Sequence, residues 1–347
     1  MNNAIERCSL PGQDRERSFG KRLRNLFPAS FLNYLIALAA IFSLNFILPR
    51  LMPGDPLQAI YGQEALVAMT PEMEAQIIRQ FSLDRSWWDQ LMAYILGLMQ
   101  GDLGFSYYYR EQVFQVIMGA LPWTLLLTGL ALITATAFAL ILGIESGYKR
   151  GSPLDRGLMG GLMFLGGFPD FFIGILLLLI FGVSLQVLPL SGATSPYAGY
   201  EGFAYVRDVF LHLALPLASM ILVQLGGIFL LTRNTIVTLL GEAFILTARA
   251  KGCPQRCIKY AHAGRNSLLP VTTATGLRIP NLLTGALFIE IVFSYPGIGS
   301  LLRTAIDARD YPLIQGILLI VTLTVLSANF LVDLLYMRLD PRVRYAH

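Results

Sequence analysis

The chain has 347 residues, of which 55% are hydrophobic and only 14% charged, with a formal net charge of +4. Soluble domains carry about 25% charged residues. Here the charges are confined to links between apolar runs of about twenty residues, the length that crosses a hydrocarbon core of about 30 Å. An ordinary soluble fold is excluded, and three cysteines are too few for a disulfide framework.

Residues 1–30 form a basic arm holding Arg7, Arg15, Arg17, Lys21, Arg22 and Arg24. A first span is expected at 31–48, within a first membrane segment of 31–52. A basic arm before an apolar run also describes a signal peptide, but this run lacks a small-residue cleavage site and passes into PRLMPGDP, so an uncleaved helix is expected. Residues 53–115 then read as an extracytoplasmic segment. Thr70-Pro71-Glu72 is a helix start, and Ser86 caps a second short helix over 87–100 that Gly101 closes. Trp87, Trp88, Tyr107, Tyr108 and Tyr109 suit a membrane interface.

A permease-sized core follows at 116–337, with further spans expected at 121–144, 158–185, 210–232, 271–293 and 311–335 and a tail at 338–347. Gly166, Gly167 and Pro169 interrupt the third span and are expected to bend it or start a half-helix there. Gly143 with Gly147, and Gly157 with Gly161, are small-xxx-small pairs that allow close helix approach. Basic residues fill alternate links: the N-terminal arm, Lys149–Arg156, the loop 233–269, and the tail. By the positive-inside rule, about six spans with both termini in the cytoplasm fit this pattern.

The loop 233–269 is the least ordinary segment. From Glu242 to Lys251 every residue is compatible with a helix, acid first and cations last, as the helix dipole prefers. Gly252 ends that helix, and Pro254 opens a second short one with Cys257, Ile258 and Ala261 on one side and Arg256 and Lys259 beside it. Two readings stand on the residues alone: a basic surface helix lying on anionic lipid, or an amphipathic element presented to a groove on a soluble partner. Cys253, Cys257 and His262 are neighbours in this loop, but their spacing matches no usual zinc pattern, and no metal site is expected of them.

Here the residues resemble a family. TARAKG (Thr247–Gly252), followed eighteen residues after the glycine by the Pro270 of LLP, is similar to the signature loop of permease subunits of binding-protein-dependent ABC importers. The dipeptide/oligopeptide/nickel branch matches in further pieces and in order: MPGDP (Met52–Pro56), GDLGFS (Gly101–Ser106), LPWTLLL (Leu121–Leu127), EIVFSYPGIGSL (Glu290–Leu301), RDYPLIQG (Arg309–Gly316) and LDPRVRY (Leu339–Tyr345). The resemblance covers about 31–345. It implies an all-α polytopic membrane protein of the type I ABC importer permease kind, with a cytoplasmic coupling helix. It implies that the Glu242–Pro270 loop, with Glu242, Ala248, Arg249, Ala250, Lys251, Gly252 and Arg256, meets an ATPase subunit. The implied partners are a homologous second permease, two ABC ATPases that carry ATP and Mg, an external substrate-binding protein and the bilayer of a bacterial or archaeal cytoplasmic membrane. This chain itself binds no cofactor in that scheme and no nucleic acid. The implied cargo is a peptide or related small solute, nickel or a metal chelate included. Two departures stand out: Leu246-Thr247 where the wider family often has Glu-Ala, and Asp170 where the branch has a small polar residue.

Ionisable groups at membrane depth are costly unless they face protein or water. Asp170, Arg278 and Glu290 are therefore the candidates for a translocation path, and Arg278 and Glu290, twelve residues apart, cannot pair within one helix. No Gly-rich Lys-Ser/Thr phosphate loop, His-Glu-x-x-His or Gly-x-Ser-x-Gly occurs, so the chain reads as a non-catalytic subunit. A self-sufficient secondary transporter is the rival reading, and related hydropathy in its two halves would be its mark.

Overall fold

Residues 36, 40–47, 51, 70, 72–73 and 86–339 are described in a computed structural model, and apart from an irregular connection over 185–201 and shorter turns they are helical, with one isolated antiparallel bridge between Phe105 and Gln112. The chain divides into Met1–Pro53 and Gly54–His347. In the first unit, residues 40–47 are helical. The N-terminal arm, the MPGDP stretch and the tail beyond residue 339 lie outside the described residues.

In the second unit the local signals set the helix ends. The Thr70 hydroxyl oxygen accepts from the Met73 amide at 3.4 Å, as a capping residue does. Ser86 accepts from the Asp89 amide at 3.2 Å and opens α1 (Trp87–Met99). Gly101 then turns the chain with φ +76°, where a side chain would be strained.

The long elements are α2 (Val113–Tyr148), α5 (Gly202–Leu239) and α10 (Tyr311–Leu339). Among the described residues, α2, α5 and the 311–330 part of α10 are each long and apolar enough to cross a membrane. The expected third span is instead a bent pair. Ser152 and Pro153 start α3 (Pro153–Leu165), Gly166 caps it, and Pro169 precedes α4 (Asp170–Leu177), which runs on as a π-helical turn over Leu178–Ser184. The two arms are bent by 98°, consistent with glycines and a proline at the joint.

The expected fifth span, 271–293, also departs from one continuous helix. It divides into α7 (Arg265–Gly276) and α8 (Ile279–Val292), with Leu277 and Arg278 at the break. Pro280 lies in the first turn of α8, and a proline disfavours helical geometry in the residue before it. A short amphipathic helix, α9 (Ile298–Asp307), leads to α10.

Helices α2 and α5 form the most extensive pair among the described residues. Lipid is as apolar as leucine, so such helices are held by close packing rather than by expulsion from water. The glycines permit that closeness. A Cβ on Gly143 would sit 2.6 Å from Thr232 Cβ, and one on Gly147 would sit 2.8 Å from the Arg233 carbonyl oxygen. The second small-residue pair behaves differently: Cβ atoms on Gly157 and Gly161 would meet nothing within 4 Å. Contact between α3 and α5 uses Gly226, where a Cβ would lie 2.7 Å from the Leu162 carbonyl oxygen.

Candidate functional site

The segment after α5 folds as an elbow. Glu242 precedes α6 (Ala243–Ala250), and its carbonyl accepts from the amides of Ile245 and Leu246 at 3.0 and 3.3 Å. At the other end the Gly252 amide donates to the Arg249 carbonyl at 2.9 Å, and the Cys253 amide donates to the Ala248 carbonyl at 3.1 Å. These crossed bonds, with Gly252 at φ +75°, are a Schellman termination. The expected break therefore stands at Gly252.

Beyond the break, the expected second short helix is replaced by a longer one. Pro254 accepts from Cys257 and Ile258 at 2.9 and 3.1 Å, a π-helical segment runs over Cys257–Gly264, and it continues without interruption into α7. The buried face also differs. Ile258, Ala263 and Gly264 turn inward and Ala261 is exposed, because the wider π turn shifts the register that a 3.6-residue period assigns.

The inner side of the elbow is apolar. Ile245 and Ala248 pack with Ile144, Ile236, Ile258 and Ala263. Ala248, expected at the ATPase contact, is only 5% exposed, so it is a foot of the elbow and its side chain is not on the outer face. Glu242, Arg249, Ala250, Lys251, Gly252 and Arg256 are exposed, alongside Phe244 and Leu246. The outer face thus joins apolar and cationic groups on a short helix with a fixed end.

Two carboxylates brace this region: Glu145, legible in the sequence as an acid near the cytoplasmic end of a span, and Asp155, which did not stand out. Glu145, near the end of α2, accepts from Lys259 Nζ and the Tyr260 hydroxyl. That carboxylate holds the Tyr260 phenol above its ordinary pKa. Asp155, 2% exposed, receives Arg233 in a two-pronged pair, Nε to Oδ1 at 2.7 Å and Nη2 to Oδ2 at 2.8 Å. Ser146 Oγ and the Gly151 amide donate to the same carboxylate at 2.5 and 2.8 Å. The pair links α3 to α5 across 78 positions of sequence, which no local pattern announces.

On the membrane side, separate motifs prove to be contact partners. Glu290 has no exposed surface; Thr124 Oγ1 donates to its Oε1 at 2.6 Å and the Gly299 amide to its Oε2 at 2.5 Å. The Ile298 amide donates back to Thr124 Oγ1 at 2.8 Å, and a Cβ on Gly297 would collide with the Glu290 carboxylate. Trp123 meets Tyr295 edge to face at 5.9 Å. LPWT and SYPGIG are thereby one joint, and Glu290 is enclosed within it in this conformation. In the same way Asp310 is fully buried and accepts from Ser106 Oγ at 2.5 Å and from the Tyr108 and Leu313 amides at 3.0 and 3.2 Å. That contact joins GDLGFS to RDYP.

The other two charges are less enclosed. Asp170 is half-buried in the first turn of α4 and its Oδ1 accepts from the Phe171 amide at 2.9 Å, a position where the helix dipole favours an acid. Arg278 stands at the α7–α8 break with its guanidinium against α5, where a Cβ on Gly227 would lie 2.7 Å from Nη2. Among the described residues neither Asp170 nor Arg278 has an oppositely charged partner within salt-bridge distance.

One further cluster escaped sequence spacing. The ligand atoms of Cys253, Cys257 and His262 lie within 4.8 Å of one another, and all three residues are half-buried.

The family model described as "Binding-protein-dependent transport system inner membrane component" matches residues 135–345. The chain belongs to this family. The match takes in the elbow, the α7–α8 break and the Glu290 half of the joint of this permease. Curated relatives align over nearly its whole length. The permease is 36% identical over 340 residues to the di/tripeptide transport system permease protein DppB of Pseudomonas aeruginosa (strain UCBPP-PA14), covering 94% of this chain and 98% of that one. It is 35% identical over 319 residues to the dipeptide transport system permease protein DppB of Escherichia coli (strain K12), covering 87% and 93%. It is 34% identical over 331 residues to the glutathione transport system permease protein GsiC of Salmonella paratyphi A, covering 94% and 98%. The permease is an all-α integral membrane component of an ABC importer.

Proposed function

We propose that this permease moves peptides inward across the cytoplasmic membrane, and that the elbow is where it receives force from a separate ATPase subunit. The names of the relatives, which are peptide and glutathione permeases, support a peptide cargo and give no support to nickel. The observation that carries the coupling reading is the build of the elbow. Its outer face offers Phe244, Leu246, Arg249 and Lys251 to a partner, while its inner face is packed on the ends of α2 and α5. A push on α6 is then passed to the spans through the Ile245–Ala248 foot and through the Lys259 and Tyr260 contacts to Glu145.

In this reading the complex holds a homologous second permease, two ATPases that bind ATP and Mg, and an external binding protein that delivers cargo. The chain has both termini in the cytoplasm and about six spans. Asp170 and Arg278 line the path, where a carboxylate and a guanidinium complement the two termini of a zwitterionic peptide. Glu290 acts from behind, holding the joint between α2 and α9. ATPase closure biases the spans between outward- and inward-facing states. Arg249→Glu with Lys251→Glu tests the contact: the double variant should assemble its membrane helices yet lose the co-purifying ATPase and the stimulation of hydrolysis by loaded binding protein. Full co-purification and stimulation would refute the coupling site.

A further inference from the structure

We propose that Cys253, Cys257 and His262 form a binding site for a thiophilic divalent cation of the zinc class, set in the elbow itself. The ligand atoms of the three residues lie within 4.8 Å of one another. Tetrahedral zinc holds sulfur at about 2.3 Å and nitrogen at about 2.0–2.1 Å, so its ligand atoms stand about 3.5–3.8 Å apart. Side-chain rotation of about an ångström closes the difference. Two thiols and one imidazole are a donor set that zinc accepts, with the fourth position left to water.

The backbone explains why these three residues meet. Cys253 is fixed by the Schellman termination, in which its amide N–H donates to the Ala248 carbonyl at 3.1 Å. Cys257 and His262 both lie in the π-helical segment Cys257–Gly264. In an α-helix of 3.6 residues per turn, residues five apart point about 140° away from each other. A π turn bonds residue i to i+5 and is wider than an α turn, which brings His262 round towards the side of Cys257. Short π insertions cluster at functional sites, and this one creates the only described group of three or more metal-ligating side chains close enough to share an ion.

Binding displaces one proton from each thiol to solvent: a dication and two thiols give a neutral dithiolate complex and two protons, with neutral His262 donating its ring lone pair. The half-buried position leaves a route for the ion. The ion ties the break after α6 to the helix that follows, so occupancy stiffens the elbow; that mechanical consequence, unlike the binding itself, rests on the coupling reading above.

The test uses the full chain purified in detergent, stripped by a chelator, kept reduced with a phosphine and titrated with Co²⁺, a spectroscopic stand-in for Zn²⁺. Saturable thiolate-to-cobalt absorption at one equivalent, displaced by Zn²⁺, is expected. Cys253→Ser and Cys257→Ser should each lower that absorption and weaken Zn²⁺ binding at least about tenfold, the effect seen even for outer-shell changes. Cys8→Ser should change nothing. His262→Gln keeps both thiols and serves if the cysteine variants misfold: it should retain the charge-transfer band, shift the ligand-field bands and weaken Zn²⁺ binding. Absence of a one-equivalent transition, or a His262→Gln spectrum and affinity equal to wild type, overturns the site. Neither readout depends on an ATPase, so failure of the coupling reading leaves this result standing, and the reverse.

Discussion

Replacing Gly252 separates backbone strain from crowding at the elbow. The residue sits at φ +75°, and a Cβ there would meet nothing within 4 Å. Gly252→Ala therefore adds no clash, and its whole cost is that of a left-handed conformation for an L-residue, about 1–2 kcal/mol. A cost of that size changes the population of the Schellman fold by a factor of about 5–30. Gly252→Val, β-branched at a position where such residues are outliers, costs more. Gly252→Asn, which tolerates this conformation, costs less. The Cys253 amide reports the fold directly, because it donates to Ala248 at 3.1 Å. Its hydrogen-exchange protection in the purified complex should fall in the order Gly, Asn, Ala, Val, with Ala about 5–30-fold below wild type. Uptake per ATP in proteoliposomes should fall in the same order. Equal protection in all four proteins would refute the strain argument, and loss of protection with unchanged coupling would refute the elbow as the joint.

Three further outcomes concern the charges. Asp155→Ala should destabilise the permease by about 3–5 kcal/mol because it leaves Arg233 uncompensated, while adding Arg233→Met should recover part of the loss; strict additivity in the four-protein cycle would refute the pair. Asp170→Asn should change the selectivity of uptake without changing assembly, and identical transport of every peptide tested would remove Asp170 from the path. Burial pushes the Asp310 carboxyl above the usual carboxylate range, against the pull of Ser106 and the Tyr108 and Leu313 amides. A raised folded pKa gives stability that is complete below the unfolded value of about 3.9 and is lost as pH rises through the folded value. The stability of wild type relative to Asp310→Asn, read by denaturant unfolding of the purified permease, should then be greater at low pH than at neutral pH. A flat profile would refute this.

Local punctuation was legible in the sequence. Ser86 and Gly101 frame α1 as expected, and Gly252 ends α6, because caps and left-handed glycines act over a few residues. The third span's bend was also signalled by Gly166, Gly167 and Pro169. The divided fifth span was missed although Pro280 marked it, since a continuous apolar run outweighed one proline. The π segment was illegible for a different reason: a helical period of 3.6 places Ala261 inward and separates Cys257 from His262, and nothing in the residues announces the wider turn. The site was half legible. The family resemblance marked the elbow's cations, but neither it nor spacing could reveal that Ala248 points inward, nor that Arg233 reaches Asp155, because both depend on how distant helices meet.

The joining of Thr124 to Glu290 and of Ser106 to Asp310 bears on how such proteins can be recombined. A hybrid that takes residues 101–127 from one relative and 290–316 from another inherits two half-joints, each cut for a different mate. Exchanging both stretches together keeps each carboxylate with the donors that grew up around it. For anyone building hybrids between importers, the natural unit of exchange here is this discontinuous pair of segments, and a cut placed between them splits a single part in two.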